Sequence, residues 1–248
     1  MNKDEKLPKA TAAQADRLDF LTAQIKRERQ EGNECTHLAR ELHRLIRAFD
    51  WYDEIFEENG KKGLRNVRGE VVVPAIYDEL LYPCPYYLPS MLIGAAKDGM
   101  YAMVERDGKG TPCSEFEYQH VEPIPFTLFD IAVKADDLQH FAIMVKGKVF
   151  TPFEMVDYDM PCDDHVILKG DNNKCGIIGM SSLIYIAPIY DEVISNGIGT
   201  DFIFIKDGVK GRVTTDKRFV GDEEFNNMSK DEQDKLLELG FISVPDLK

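Results

Sequence analysis

No stretch of the 248 residues approaches the ~18 consecutive apolar residues that a membrane-crossing helix requires. Basic residues never run longer than a pair such as Lys61-Lys62, and the formal net charge is −14. Phosphate contacts need clustered lysine and arginine, so the charge argues against a nucleic-acid partner. It fits a solvated acidic surface, or a protein partner that presents a basic face. The start, Met1 to Arg17, has no apolar core of the kind a secretory signal carries. No Cys-x-x-Cys pair occurs. The five cysteines, Cys35, Cys84, Cys113, Cys162 and Cys175, are odd in number and widely spaced. They suit reduced thiols better than a disulfide framework, so a cytoplasmic location is expected, with no membrane association.

Catalytic signatures are also missing. The stretch from Gly179 to Ile184, GMSSLI, lacks the second glycine of a nucleophile elbow. No phosphate-cradling glycine loop occurs. Gly197 and Gly199 have the first spacing of a dinucleotide fingerprint, but Asp201 and an apolar strand pattern follow instead of a helix. Asp157, Asp159, Asp163, Asp164 and His165 crowd together without calcium-loop spacing, and Pro161 makes a turn of them, so a solvated acidic loop is expected. Cys35, His37 and His43 do not make a metal site, because positions 37 and 43 are not helical neighbours. The expectation is therefore a protein that is not an enzyme, with no catalytic residue, no bound metal and no cofactor.

What is present falls into three parts, 1–58, 59–225 and 226–248. In the first, Leu18, Leu21 and Ile25 recur at helical spacing, Gly32-Asn33 interrupts, and Leu38, Leu42, Leu45, Ile46 and Phe49 resume it. Ile55-Phe56 close the second run, Thr36 or Asn33 caps it, and Asn59-Gly60 ends it. This predicts a helical hairpin. In the last part, Ser229 with Glu232 is a capping-box pair ahead of Leu236, Leu237 and Leu239, with Gly240 as the stop, which predicts a short closing helix.

Between them the period shortens. Apolar and β-branched runs alternate with Arg68-Gly69, Asp98-Gly99, Asp107-Gly108, Lys146-Gly147 and Asp207-Gly208, pairs that favour tight hairpin turns. Prolines 74, 112, 152 and 188 fall near run ends, where no ladder donor is needed. Two phrases nearly coincide: VPAIYDELLY from Val73 and IAPIYDEVIS from Ile186. Aligning a small residue that opens a strand after each turn gives Gly63, Ala102, Ala142, Gly176 and Gly211, at steps of 39, 40, 34 and 35 residues. Such a period means hairpin units that cannot bury their apolar faces alone and share a core with their neighbours.

The pattern resembles the WG (KWG) repeat family over about residues 59 to 220. A small residue opens a strand, a turn follows, and the unit ends on proline, tyrosine and aspartate. One departure stands out: there is no Trp-Gly pair. The family's tryptophan position is held by Lys62, Tyr101, Phe141, Cys175 and Lys210, and the single tryptophan, Trp51, lies outside the repeats. The resemblance implies a mainly β fold of five stacked hairpin repeats, as an open array or alternatively a small propeller.

On this reading Ile76 and Ile189 point inward. Tyr77 and Tyr190 pack their rings while the hydroxyls reach water or a carbonyl, and Asp78 and Asp191 bond the backbone of the following corner. The functional alternative makes Tyr77, Asp78, Tyr190 and Asp191 a ladder of exposed ligand-contacting groups. The segment Leu81 to Pro89, LYPCPYYLP, offers Tyr82, Tyr86 and Tyr87 as a contact surface, or as a rigid loop over the core. The function expected is a protein-interaction module, an adaptor or toxin-neutralising protein. The alternatives are a carbohydrate- or cell-wall-binding repeat protein and a hydrolase.

Overall fold

Near residue 50 the apolar period changes, and there the backbone changes from helix to sheet. A computed structural model describes residues 6–89, 91–124, 127–162, 165–179, 182–195 and 202–239. Gly240, Gly197, Gly199, Asp163 and Asp164 lie outside the described residues. The fold is mainly β, with antiparallel sheets, helices near the start and helices near the end. The chain divides into two compact units at Pro123/Ile124.

In the first unit, α1 (Ala12–Gln30) and α2 (Thr36–Ala48) form the expected hairpin. The predicted stripe faces inward: Leu18, Leu21, Ile25 and Leu38 are buried. The chain on either side of the hairpin is tied together, since Ala10 N–H donates to the Asp50 carbonyl and Asp50 N–H to the Pro8 carbonyl. Two expectations are corrected here. The N-cap of α2 is Cys35, with no side-chain cap bond, while Asn33 spends its amide on Glu28 and Glu31. Helix α2 also stops at Ala48, and Ile55-Phe56 belong to strand β1 (Glu54–Glu58). Asn59-Gly60 is then a hairpin turn: both residues have positive φ, 52° and 75°, as a primed two-residue turn requires. The sequence signal for a helix stop and for this turn is the same pair of residues.

Strands β1, β2 (Lys61–Arg65) and β3 (Val71–Tyr77) form one antiparallel sheet in that order. Strands β4 (Glu79–Leu81), β5 (Ile93–Lys97), β6 (Met100–Val104) and β7 (Tyr118–Pro123) follow as an antiparallel meander. Their shared core holds Leu64, Val73, Tyr77, Leu80, Ile93 and Val104.

The second unit begins with β8 (Phe129–Lys134), β9 (Asp137–Val145), β10 (Lys148–Val149), β11 (Met155–Cys162), β12 (His165–Gly170), β13 (Cys175–Gly179) and β14 (Tyr185–Tyr190). Strand β10 pairs with β9, and the remaining strands are neighbours in chain order. A four-stranded sheet follows, from β15 (Glu192–Ser195) through β16 (Phe202–Lys206) and β17 (Val209–Val213) to β18 (Phe219–Gly221). Helices α3 (Asp222–Asn227) and α4 (Lys230–Leu239) close the described chain. The capping box of α4 forms as expected: Glu232 accepts from Ser229 N–H and Oγ.

One register recurs. For four of the five aligned small residues, the preceding residue pairs across the sheet with a residue at the next corner: Lys62 with Tyr77, Tyr101 with Tyr118, Phe141 with Met155, and Cys175 with Tyr190, whereas in the fifth unit Gly211 itself pairs with Gly221. In the first and last of these four, two residues of one strand span four of the other. The extra residues, which include Pro74 and Pro188, arch over Gly63 and Gly176. A Cβ on Gly176 would sit 2.2 Å from the Ile186 carbonyl oxygen, and one on Gly63 would sit 2.8 Å from Ala75 N. Ala102 and Ala142 face partner strands that touch theirs through a single pair, where a methyl group fits.

Candidate interaction surface

The repeated phrase makes a corner at which the chain leaves one sheet for the next. Strand β3 ends at Tyr77 and β4 begins at Glu79; β14 ends at Tyr190 and β15 begins at Glu192. Only the aspartate lies between. Asp78 accepts the Asp98 amide at 2.8 Å, and Asp191 accepts the Gly208 amide at 3.3 Å, so each holds the Asp-Gly turn of the hairpin that follows. A lysine seventeen residues earlier completes each corner: Lys61 pairs with Asp78 and Lys174 with Asp191. Both carboxyls are held below the usual carboxylate range, first by the lysine and then by the turn amide. The seventeen-residue Lys-to-Asp spacing is a sequence signal that hydrophobic patterning overlooks.

The tyrosines do not form an exposed ladder. Tyr77 and Tyr190 are only 3% and 2% exposed, whereas Ile76 and Ile189 are 50% and 51% exposed. The expectation that the isoleucines point inward is therefore corrected. Successive strand residues face opposite sides, so isoleucine and the adjacent tyrosine cannot share the core, and the tyrosine occupies it. The ring of Tyr77 stacks on Phe116 at 5.9 Å and its hydroxyl donates to the Gly110 carbonyl. The ring of Tyr190 packs against Phe204 at 4.9 Å and Phe219 at 5.9 Å. Tyr118, 3% exposed, fills the same register position in its own sheet. The sequence hides it, because Gln119 replaces the aspartate and no proline precedes it nearby.

The LYPCPYYLP segment splits into two roles. Tyr86 and Tyr87 fold onto Trp51, stacked at 6.3 Å and edge-on at 6.5 Å. Trp51 donates its indole N–H to the Ile46 carbonyl at 3.1 Å, tying this loop to the end of α2. The Tyr86 hydroxyl donates to Asp19, and Arg68 reaches both that hydroxyl and the carboxylates of Asp16 and Asp19. Two residues therefore clamp the sheet loops onto α1. Beneath them Asp53 and Arg106 form a bidentate pair at 2.7 and 2.8 Å, with side chains 0% and 4% exposed. Desolvation raises the Asp53 carboxyl, and the guanidinium opposes that rise. Cys84, buried beside this pair, has its thiol pushed up to about 11 by burial, which makes it a poor nucleophile.

Tyr82 alone of the three tyrosines keeps an open face, 41% exposed, edge-on to His120 at 6.1 Å. His120 also lies against Tyr101, whose hydroxyl donates to Glu79. Glu79, Tyr101 and His120 sit on strands β4, β6 and β7, with Tyr82 just after β4, and together they form an aromatic patch edged with carboxylates. Among the described residues no cluster of three or more histidine, cysteine, aspartate or glutamate side chains is placed to hold a metal. No described helix is long and apolar enough to cross a membrane.

The site expected on α1 and α2 from sequence is nil, yet a cavity lies there. A groove of about 850 Å³ runs between them, floored by Ile25, Leu42 and Ile46. The apolar stripe of α2 is read as core in the sequence, and only the packing shows that Leu42 and Ile46 on it stay half-buried.

No family model and no curated protein matches the chain. Among solved structures it is similar to the WD40 β-propeller domain of Doa1, with 8% identity over 68% of this chain and a TM-score of 0.26. The chain spans 64% of that structure's length. A likeness this distant decides neither the fold nor the function.

Proposed function

We propose that the chain is a protein-interaction module, built from five degenerate WG-like repeats over about residues 59–220, that serves as an adaptor or toxin-neutralising protein and not as an enzyme. The observation that carries this reading is the corner built twice from the same parts: lysine, buried tyrosine and turn-holding aspartate, at the same spacing. Those polar groups are spent on the scaffold, which leaves the intervening outward positions to vary. Repeat arrays use such surfaces to bind other chains. Exposed Ile76 and Ile189, Tyr82 beside His120, and the charge of −14 suit a partner with a basic, partly apolar face. The carbohydrate-binding alternative needs a row of open tyrosines, and the corner tyrosines are buried.

The test is recovery of a stoichiometric partner from the native cell at low salt, followed by reconstitution from purified components. Binding that weakens with salt and with Tyr82→Ala plus Ile76→Ser supports the reading. Failure to recover any partner contradicts it, as does turnover of a substrate abolished by one point substitution.

A further inference from the structure

The groove between α1 and α2 differs in sign from the rest of the molecule. The net charge is −14, yet no aspartate or glutamate lines the groove, while Lys26, Arg29, Arg40 and His43 do. All four side chains are exposed, and none has an ion-pair partner among the described residues. Arg17 and Arg68, by contrast, are neutralised, the first by Glu41 and the second by Asp16 and Asp19. Its walls run from Thr22 to Gln30 on one helix and from Thr36 to Ile46 on the other. At 1.5 Å per residue, that is roughly 12–15 Å, or between two and three helical turns. Two antiparallel helices with an apolar trough between them offer a third helix a seat, the helix-in-groove mode of recognition.

We propose that this groove is a docking site for an acidic amphipathic helix of a partner protein. Its leucine-type anchors rest on Ile25, Leu42 and Ile46, and its carboxylates meet Lys26, Arg29 and Arg40. This site is independent of the repeat reading of the β strands and opposite in charge preference to the partner proposed for them.

The test uses the full chain and two fluorescently labelled amphipathic peptides with identical leucine faces, one with glutamate and one with lysine on the polar face. Anisotropy gives their Kd values at low and high salt. The site predicts saturable binding of the glutamate peptide, at least tenfold tighter than the lysine peptide and weakened severalfold by salt. Arg29→Glu with Arg40→Glu, both exposed, should weaken the glutamate peptide at least tenfold and strengthen the lysine peptide, with circular dichroism unchanged. Lys26→Gln should produce a smaller loss in the same direction. Equal binding of both peptides, or glutamate-peptide binding indifferent to the reversal, overturns the proposal. So does finding that a short alkyl carboxylate fills the groove while the peptide does not bind, or that the groove mediates self-association lost on reversal. None of these results bears on a partner of the β repeats, so the two readings fail separately.

Discussion

At the scale of single residues, the decisive feature is how close one strand passes over another. A Cβ at Gly211 would lie 2.3 Å from the Val220 carbonyl oxygen, and one at Gly176 would lie 2.2 Å from that of Ile186. Backbone cannot step aside as a flexible side chain can. Gly176→Ala and Gly211→Ala should each cost about 1–3 kcal/mol in urea unfolding, the range for forced overpacking. The corner tyrosines separate two contributions. Tyr77→Phe leaves the Gly110 carbonyl without its donor and should cost about 1 kcal/mol. The hydroxyl of Tyr190 has no hydrogen-bond partner among the described residues, so Tyr190→Phe should be neutral within about 0.5 kcal/mol.

A third residue sets a pH dependence. Asp130, buried on β8, has its carboxyl pushed up to about 7 by desolvation. Its folded value lies above the unfolded one, near 3.9, so the stability it allows is complete below pH ~4 and is lost as pH rises through about 7. Asp130→Asn should match the wild type in melting temperature near pH 4 and exceed it at pH 8. A constant difference across that range would show that burial is not the cause.

At the scale of elements, much was legible and the exceptions have physical reasons. The stripe of Leu18, Leu21, Ile25 and Leu38 is buried as the helical period requires, and the capping box at Ser229 starts α4. The helix-to-strand error at 49–58 arose because Asn59-Gly60 serves a helix end and a primed turn equally well. Ile76 and Ile189 face outward because in a strand the neighbouring Tyr77 and Tyr190 take the opposite, inward side. Long-range pairs leave no local trace at all. Nothing in the sequence joins Asp53 to Arg106, or Trp51 to Tyr86, since partner choice there depends on how loops fold back onto helices.

Those unseen pairs hold the helical hairpin to its sheet. Trp51→Ala should cost about 3–5 kcal/mol, because its removal leaves a cavity under Tyr86 and Tyr87. Asp53→Ala should cost a similar ~3–5 kcal/mol by stranding a buried guanidinium. The double replacement Asp53→Leu with Arg106→Met should recover most of that loss. If the double variant is as unstable as the single one, the pair itself contributes more than its desolvation takes away.

On the scale of the whole molecule, the same corner register appears in both compact units. It appears with four different residues at the position preceding the small one, Lys62, Tyr101, Phe141 and Cys175. The register is thus carried by backbone geometry more than by side-chain identity, and of the five copies aligned in the sequence only two are spelled with the full proline-tyrosine-aspartate phrase. The most direct test is a set of cross-strand nuclear Overhauser effects recorded on the deuterated full chain. The account predicts close backbone contacts for Lys62 with Tyr77, Tyr101 with Tyr118, Phe141 with Met155 and Cys175 with Tyr190. A spectrum in which these four pairs are not neighbours, or in which Tyr118 and Met155 pair in a different register from Tyr77 and Tyr190, would contradict it.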